Sequence, residues 1–189
     1  LYTSVAATLF ILTSTPFMAA LIGWLWIGEK PHPMTWLVMV AASFGVAIMI
    51  REGIELERTF GNLLALVSAL AFAVMLVLAR RSGKEDVLGG TFIGGGFAML
   101  IGLVMSVISG SGLIISGFDL GLSLFMGAFG IGVGIAFVTW GASYVPAAEV
   151  SILVLIESVL GPVWPWLFLG EALTQREIIG GGTVLCSVV

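Results

Sequence analysis

Long apolar runs, each about as long as a membrane-crossing helix, alternate with short polar breaks along the whole chain. The runs fall at 3–28, 34–50, 61–79, 88–109, 121–141, 147–169 and 178–189. Between them lie EKPHP at 29–33, REGIELER at 51–58, RRSGKED at 80–86, a Ser/Gly/Asp stretch at 109–119 and GEALTQRE at 170–177. Tyr144 and Pro146 mark the turn between the fifth and sixth runs. A hydrocarbon core about 30 Å thick takes about twenty helical residues to cross. The runs lack the period-2 alternation of barrel strands, so helices are the spanning element that remains. The pattern predicts an all-α, polytopic integral membrane bundle of about seven helices. The last run is too short to span and the chain opens on Leu1 without a basic leader, so the reading expects a piece of a longer protein.

Composition strengthens this picture. Of the 189 residues 59% are hydrophobic and only 10% charged, with mean hydropathy +1.18, so the solvent of this chain is a bilayer. The formal charge of −4, with no basic tract, speaks against a nucleic-acid partner. The single cysteine, Cys186, leaves no intrachain disulfide or cysteine-based metal site, and neither a metal nor a cofactor is expected. Lys30, Arg80, Arg81 and Lys84 fall on one side of the membrane and Arg51, Arg58 and Arg176 on the other. The tight RRSGK cluster then places 29–33 and 80–86 in the cytoplasm.

Two runs finish alike. WLWIGEK at 24–30 and WLFLGEA at 166–172 align in register, matching Trp24 with Trp166, Gly28 with Gly170 and Glu29 with Glu171. Five runs separate the two glutamates, and an odd number reverses direction, so the copies face opposite sides of the membrane. That is the inverted-topology repeat of many secondary transporters. Pro16, IGE at 27–29 and Gly45-Val46, echoed by LIESVLGP at 155–162, LGE at 169–171 and IIGGG at 178–182, resemble the EamA repeats of the drug/metabolite transporter superfamily. The resemblance implies a ten-helix fold in two inverted halves, of which this chain holds helices four to ten. Residues 1–50 would complete a first repeat, 51–60 connect, and 61–189 form most of a second. Glu157-Ser158 stands where Glu-Pro is common in the second repeat, and Val38 where a glycine would match Gly180.

The candidate chemistry sits behind the Gly-Glu pairs. Glu157 precedes Glu171 by fourteen residues, roughly 21 Å of helix, deep in a span where a carboxylate costs about 2.5–3.5 kcal/mol. It is read as a substrate or proton site, or as a neutral group bonded to backbone loosened by Pro162. Pro16 is its near counterpart, freeing a carbonyl for substrate or for Thr13, Ser14 or Thr15, or merely kinking a packed helix. Glu149 falls at the cytoplasmic boundary. Gly90/Gly94 and Gly130/Gly134 read as small-residue packing faces. Trp24, Trp26, Trp164 and Trp166 read as interfacial anchors. Trp140, with Phe10, Phe17 and Phe137, lines an apolar cavity or faces lipid. Gly28 and Gly170 end helices at the water boundary, and Glu29 and Glu171 either stand solvated there or cap the helices that follow.

The resemblance implies a secondary transporter of the cytoplasmic (inner) membrane that exports small metabolites, amino acids or drug-like compounds, with a small-molecule substrate and lipid as its partners. No nucleotide-binding motif appears, so ion or substrate gradients would drive it. A non-transporting scaffold or assembly subunit is the alternative. An intramembrane enzyme is not expected, because His32, Asp86 and Asp119 all lie in breaks, away from any paired group at depth.

Overall fold

The computed structural model describes residues 5–50, 59–82, 87–108, 110, 116–170 and 172–188. All seven apolar runs are helical, but three are interrupted. The first is α1 (Val5–Leu12) followed by α2 (Thr15–Ile27), the second α3 (Pro33–Ile50), the third α4 (Thr59–Ser82) and the fourth α5 (Val87–Ile108). The fifth comprises α6 (Gly117–Phe125), a π-helical stretch (Met126–Gly132) and α7 (Val133–Ala142). The sixth divides into α8 (Ala147–Val154) and α9 (Ile156–Leu169), and α10 (Gln175–Val188) closes the series. Five of these runs are long and apolar enough to cross a membrane, and Pro33–Met49 is a shorter apolar helix. With no strand among the described residues, the molecule is an all-α polytopic membrane bundle.

Contacts between chain ends fix the direction of each helix. Arg80, at the end of α4, reaches both Glu29 beyond α2 and the Ser143 carbonyl at the end of α7. One cavity joins Glu29–His32 to Pro146–Glu149. Helices α2, α4 and α7 therefore finish, and α3 and α8 begin, at one end of the bundle, called here the near end. From there α8 and α9 lead away, which puts Gly170 at the far end, and α10 returns antiparallel to α3. Gly28 and Gly170 thus terminate oppositely directed helices, and both adopt the left-handed conformation that glycine tolerates, with φ of 78° and 70°.

The tightest backbone contact joins α3 to α10. A Cβ on Gly45 would lie 2.7 Å from the Gly180 carbonyl oxygen, and one on Gly180 would run into the Gly45 carbonyl and stand 3.0 Å from the Met49 nitrogen. Only glycines let the two backbones meet so closely. The small-residue pairs predicted to pack do not do so within this chain: nothing lies within 4 Å of a Cβ built on Gly90, Gly94, Gly130 or Gly134. Those glycines sit on the two spans whose windows are 0% buried, at the periphery of the bundle. Ala19, Ala73, Leu76, Val77, Ala79, Ala142, Ala147 and Val150 form the main core where α2, α4, α7 and α8 meet.

At the start of α10 the Thr174 hydroxyl accepts the Glu177 N–H, and Glu177 Oε2 accepts the Thr174 N–H at 2.7 Å, a reciprocal capping box. Thr174 and Glu177 make this cap, whereas the sequence offers Glu171, which lies outside the described residues, as a cap for the same helix. Gly45→Leu or Gly180→Leu is expected to lower the melting temperature of the purified protein through a backbone clash of about 1–3 kcal/mol or more. Gly94→Leu should leave it nearly unchanged, and thermal unfolding of the three variants side by side checks the contrast. Thr174→Ala should cost about 1 kcal/mol in the same assay.

Candidate functional site

Both broken runs part at the same register. In the first, Thr13 and Ser14 turn the chain between α1 and α2; in the second, Leu155 does so between α8 and α9. Thr13 stands fifteen residues before Gly28 and Leu155 fifteen before Gly170. At a rise of 1.5 Å per residue each break lies roughly 22 Å behind its own glycine, and because the helices run oppositely the two breaks flank the bilayer midplane. The sequence reading expected the kinks at Pro16 and Pro162. Pro16 instead occupies the first turn of α2, where a missing N–H is harmless, so the chain parts just before it. Pro162 lies inside the continuous α9. No proline marks the second break, which is closed by three-residue turns, Leu155 N–H to Ile152 O and Ser158 N–H to Leu155 O, both 3.0 Å.

Hydroxyls satisfy the backbone loosened at the first break. The Thr13 hydroxyl donates to Phe10 O at 2.7 Å and the Ser14 hydroxyl to Ile11 O at 2.6 Å. From α3, the Ser43 hydroxyl reaches Thr13 O at 3.4 Å. Pro16 is buried, so the proline and Ser14 sit inside packed structure.

Glu157 falls in the first turn of α9, where the positive end of the helix dipole favours a carboxylate. Its side chain is exposed, two residues and so about 200° around the helix from Val159, which packs with Val46 and Val184. Neither described cavity includes Glu157, and no hydrogen bond joins it to Ser14, Pro16 or Trp140 among the described residues. Trp140 is also exposed, edge-on to Tyr144 at 5.1 Å. Phe137 is exposed, Phe10 is partly so, and Phe17 packs against Trp36. None of the four aromatics lines either of the cavities described among these residues. Thr139, next to Trp140, is buried and its hydroxyl lies 3.1 Å from that of Thr91, tying α5 to α7.

One of the two described cavities, about 630 Å³ and open, lies between α3 and α10, where Leu37, Ala41, Ile178 and Gly182 line it; the other, which gathers charged side chains, is at the near end. A cavity of about 330 Å³ opens between α2 and α8, walled by Ala19, Ala20, Ala147 and Ala148, with Glu29, Lys30, His32 and Glu149 at its polar rim. This volume is at the lower limit of ligand-sized pockets, about 300–1,000 Å³. Glu149, expected at the cytoplasmic boundary, is one of its lining groups. Glu29 is neither free nor a cap: its Oε1 accepts from Arg80 Nε at 2.8 Å. The start of α3 is capped by His32, whose Nδ1 accepts the Met34 N–H at 3.3 Å. Glu171 lies outside the described residues. Arg80 was visible in the sequence only as part of a charge cluster. Its pairing with Glu29 was nonetheless available from span counting, since two intervening crossings return the chain to the same side.

The sequence has relatives among known proteins. The model of the EamA-like transporter family matches residues 59–189. An uncharacterized transporter from Archaeoglobus fulgidus is 28% identical over 86% of this chain and 58% of its own length. Solute carrier family 35 member G1 from Homo sapiens is 27% identical over 98% of this chain and 54% of its own length. The chain spans a little over half the length of these curated relatives. No solved structure matches it. With most of its length under the family model and its helices built to cross a bilayer, this multi-pass membrane chain belongs to the EamA-like transporter family.

Proposed function

We propose that the whole protein is a secondary transporter that exports a small metabolite, amino acid or drug-like compound across the cytoplasmic (inner) membrane by alternating access. The observation that supports this most strongly is the pair of helices broken fifteen residues before left-handed Gly28 and Gly170 and running in opposite directions. Discontinuous helices related in this inverted way bring backbone ends to the middle of the bilayer between two halves of a transporter. Residues 1–50 then belong to a first repeat and 61–189 to a second, joined through 51–60. A static scaffold has no need of breaks at depth, each of which removes hydrogen bonds that hydrocarbon does not replace.

Glu157, with Pro16, Ser14 and Trp140, is the group assigned to substrate or proton contact in this reading. An exposed carboxylate in the first turn of α9, deep in a span, is the kind of group that substrate or proton coupling uses.

Glu157→Gln in the full-length protein is expected to cut solute flux into proteoliposomes about tenfold or more, or to abolish its pH dependence, while membrane insertion stays normal. Flux unaltered across pH 5.5–8 would remove the coupling role. The substrate itself is found by comparing metabolites exported from overexpressing and control cells; no difference in any exported compound would count against the export reading.

A further inference from the structure

We propose that Arg80 is the latch that ties the end of α2 to the turn leading from α7 into α8, and through that turn holds the two broken helices together at the near end. This inference rests on the alternating-access reading above and names the contact that such a cycle releases.

One guanidinium joins three helix ends that are far apart in sequence. Arg80, in the last turn of α4, donates from Nε to Glu29 Oε1 at 2.8 Å and from Nη1 to Ser143 O at 3.0 Å. Glu29 follows the glycine that ends α2, and Ser143 caps the C-terminus of α7. A cation there satisfies an end carbonyl and meets the negative pole of the helix dipole. Only the planar, multi-donor head of arginine serves both acceptors in one geometry. The side chains of Arg80 and Glu29 are 25% and 32% exposed, so the pair is shielded more than a surface ion pair but is not locked in a dry core.

The contact that the latch guards is made of small side chains. Ala19, Ala20 and Gly23 of α2 face Ala147 and Ala148 of α8 across the near-end cavity, with Glu29 on the same wall. Such a surface packs closely yet has no large knobs to interlock, and it slides or parts once nothing ties the helix ends. The other halves of the same helices behave differently. Among the described residues α1 packs on α3 and α4, and α9 on α8 and α10, with no comparable packing of α1 on α9. The broken helices therefore converge at the near end, under Arg80, and part toward the far end.

The reporter is a cysteine at Ala148, which is 5% exposed between α2 and α8. Full-length protein carrying Ala148→Cys and Cys186→Ser, in an otherwise cysteine-free background, is purified in detergent and its rate of maleimide modification measured. Arg80→Gln and Glu29→Gln are each expected to raise that rate about three- to tenfold, the range for losing a partly exposed, charge-assisted contact. Arg80→Lys should fall between. Only protein eluting as a single species is scored. If Arg80→Gln does not fold, Glu29→Gln, which leaves the arginine in place, carries the test. Rates equal to the parent in every folded variant overturn the latch. Flux is measured on the parent in parallel: unchanged labelling with intact flux defeats the latch alone, and raised labelling with no flux in the parent defeats the transport reading alone.

Discussion

Hydrocarbon offers no hydrogen bonds, so each backbone N–H and C=O in a membrane span has to find its partner inside the protein. An unbroken helix meets this demand automatically, and a break meets it only with help. The rest of this structure depends on how that help is arranged. At the first break the Thr13 and Ser14 hydroxyls turn back onto Phe10 O and Ile11 O while Ser43 reaches across from α3. At the second, the backbone closes on itself through three-residue turns around Leu155. Breaks held in this way at matching depth, in oppositely directed helices, are features a simple span has no reason to carry.

Around them the packing is uneven. The core where α2, α4, α7 and α8 meet is dominated by alanine and valine, and the closest approach of all is the Gly45–Gly180 crossing of α3 with α10. Small residues suit a bilayer, where lipid tails compete with any apolar side chain and close backbone contact is what distinguishes protein from solvent. The large apolar residues of α5 and α6 face outward, as Phe92, Phe97, Phe118 and Phe125 do. A strong polar contact at the near end, Arg80 with Glu29 and Ser143, sits at the water boundary, where charge is least costly.

The spans were legible because twenty-residue apolar runs have one physical explanation in a membrane, and the two Gly-Glu endings were legible because a left-handed helix end favours glycine. The breaks were half legible. Pro16 drew attention to the first, though the chain parts before the proline, where its ring restricts the preceding residue. Leu155 gave no sign, since an ordinary leucine marks the second break and the proline expected to cause it, Pro162, lies inside a continuous helix. The glycine faces at 90/94 and 130/134 misled for a related reason: a small-residue motif states that close approach is permitted, not which helix approaches. Gly45 and Gly180 looked no different in sequence and are the pair that meets. Span counting put Glu29 and Arg80 on one side of the membrane, but which of the cations there pairs with Glu29, 51 positions away in the case of Arg80, is shown by the fold.

Alternating access requires the two broken helices to open and close in opposite senses at the two ends of the bundle. Spin-label distances in lipid nanodiscs read this directly, with one pair at Leu25 and Glu149 across the near ends of α2 and α8, and another at Phe10 and Leu167 across α1 and α9; all four positions are exposed. Two populations are expected for each pair with reciprocal weights, so that conditions lengthening the near-end distance shorten the far-end one. A single fixed distance at both ends, or distances that lengthen together, would contradict alternating access.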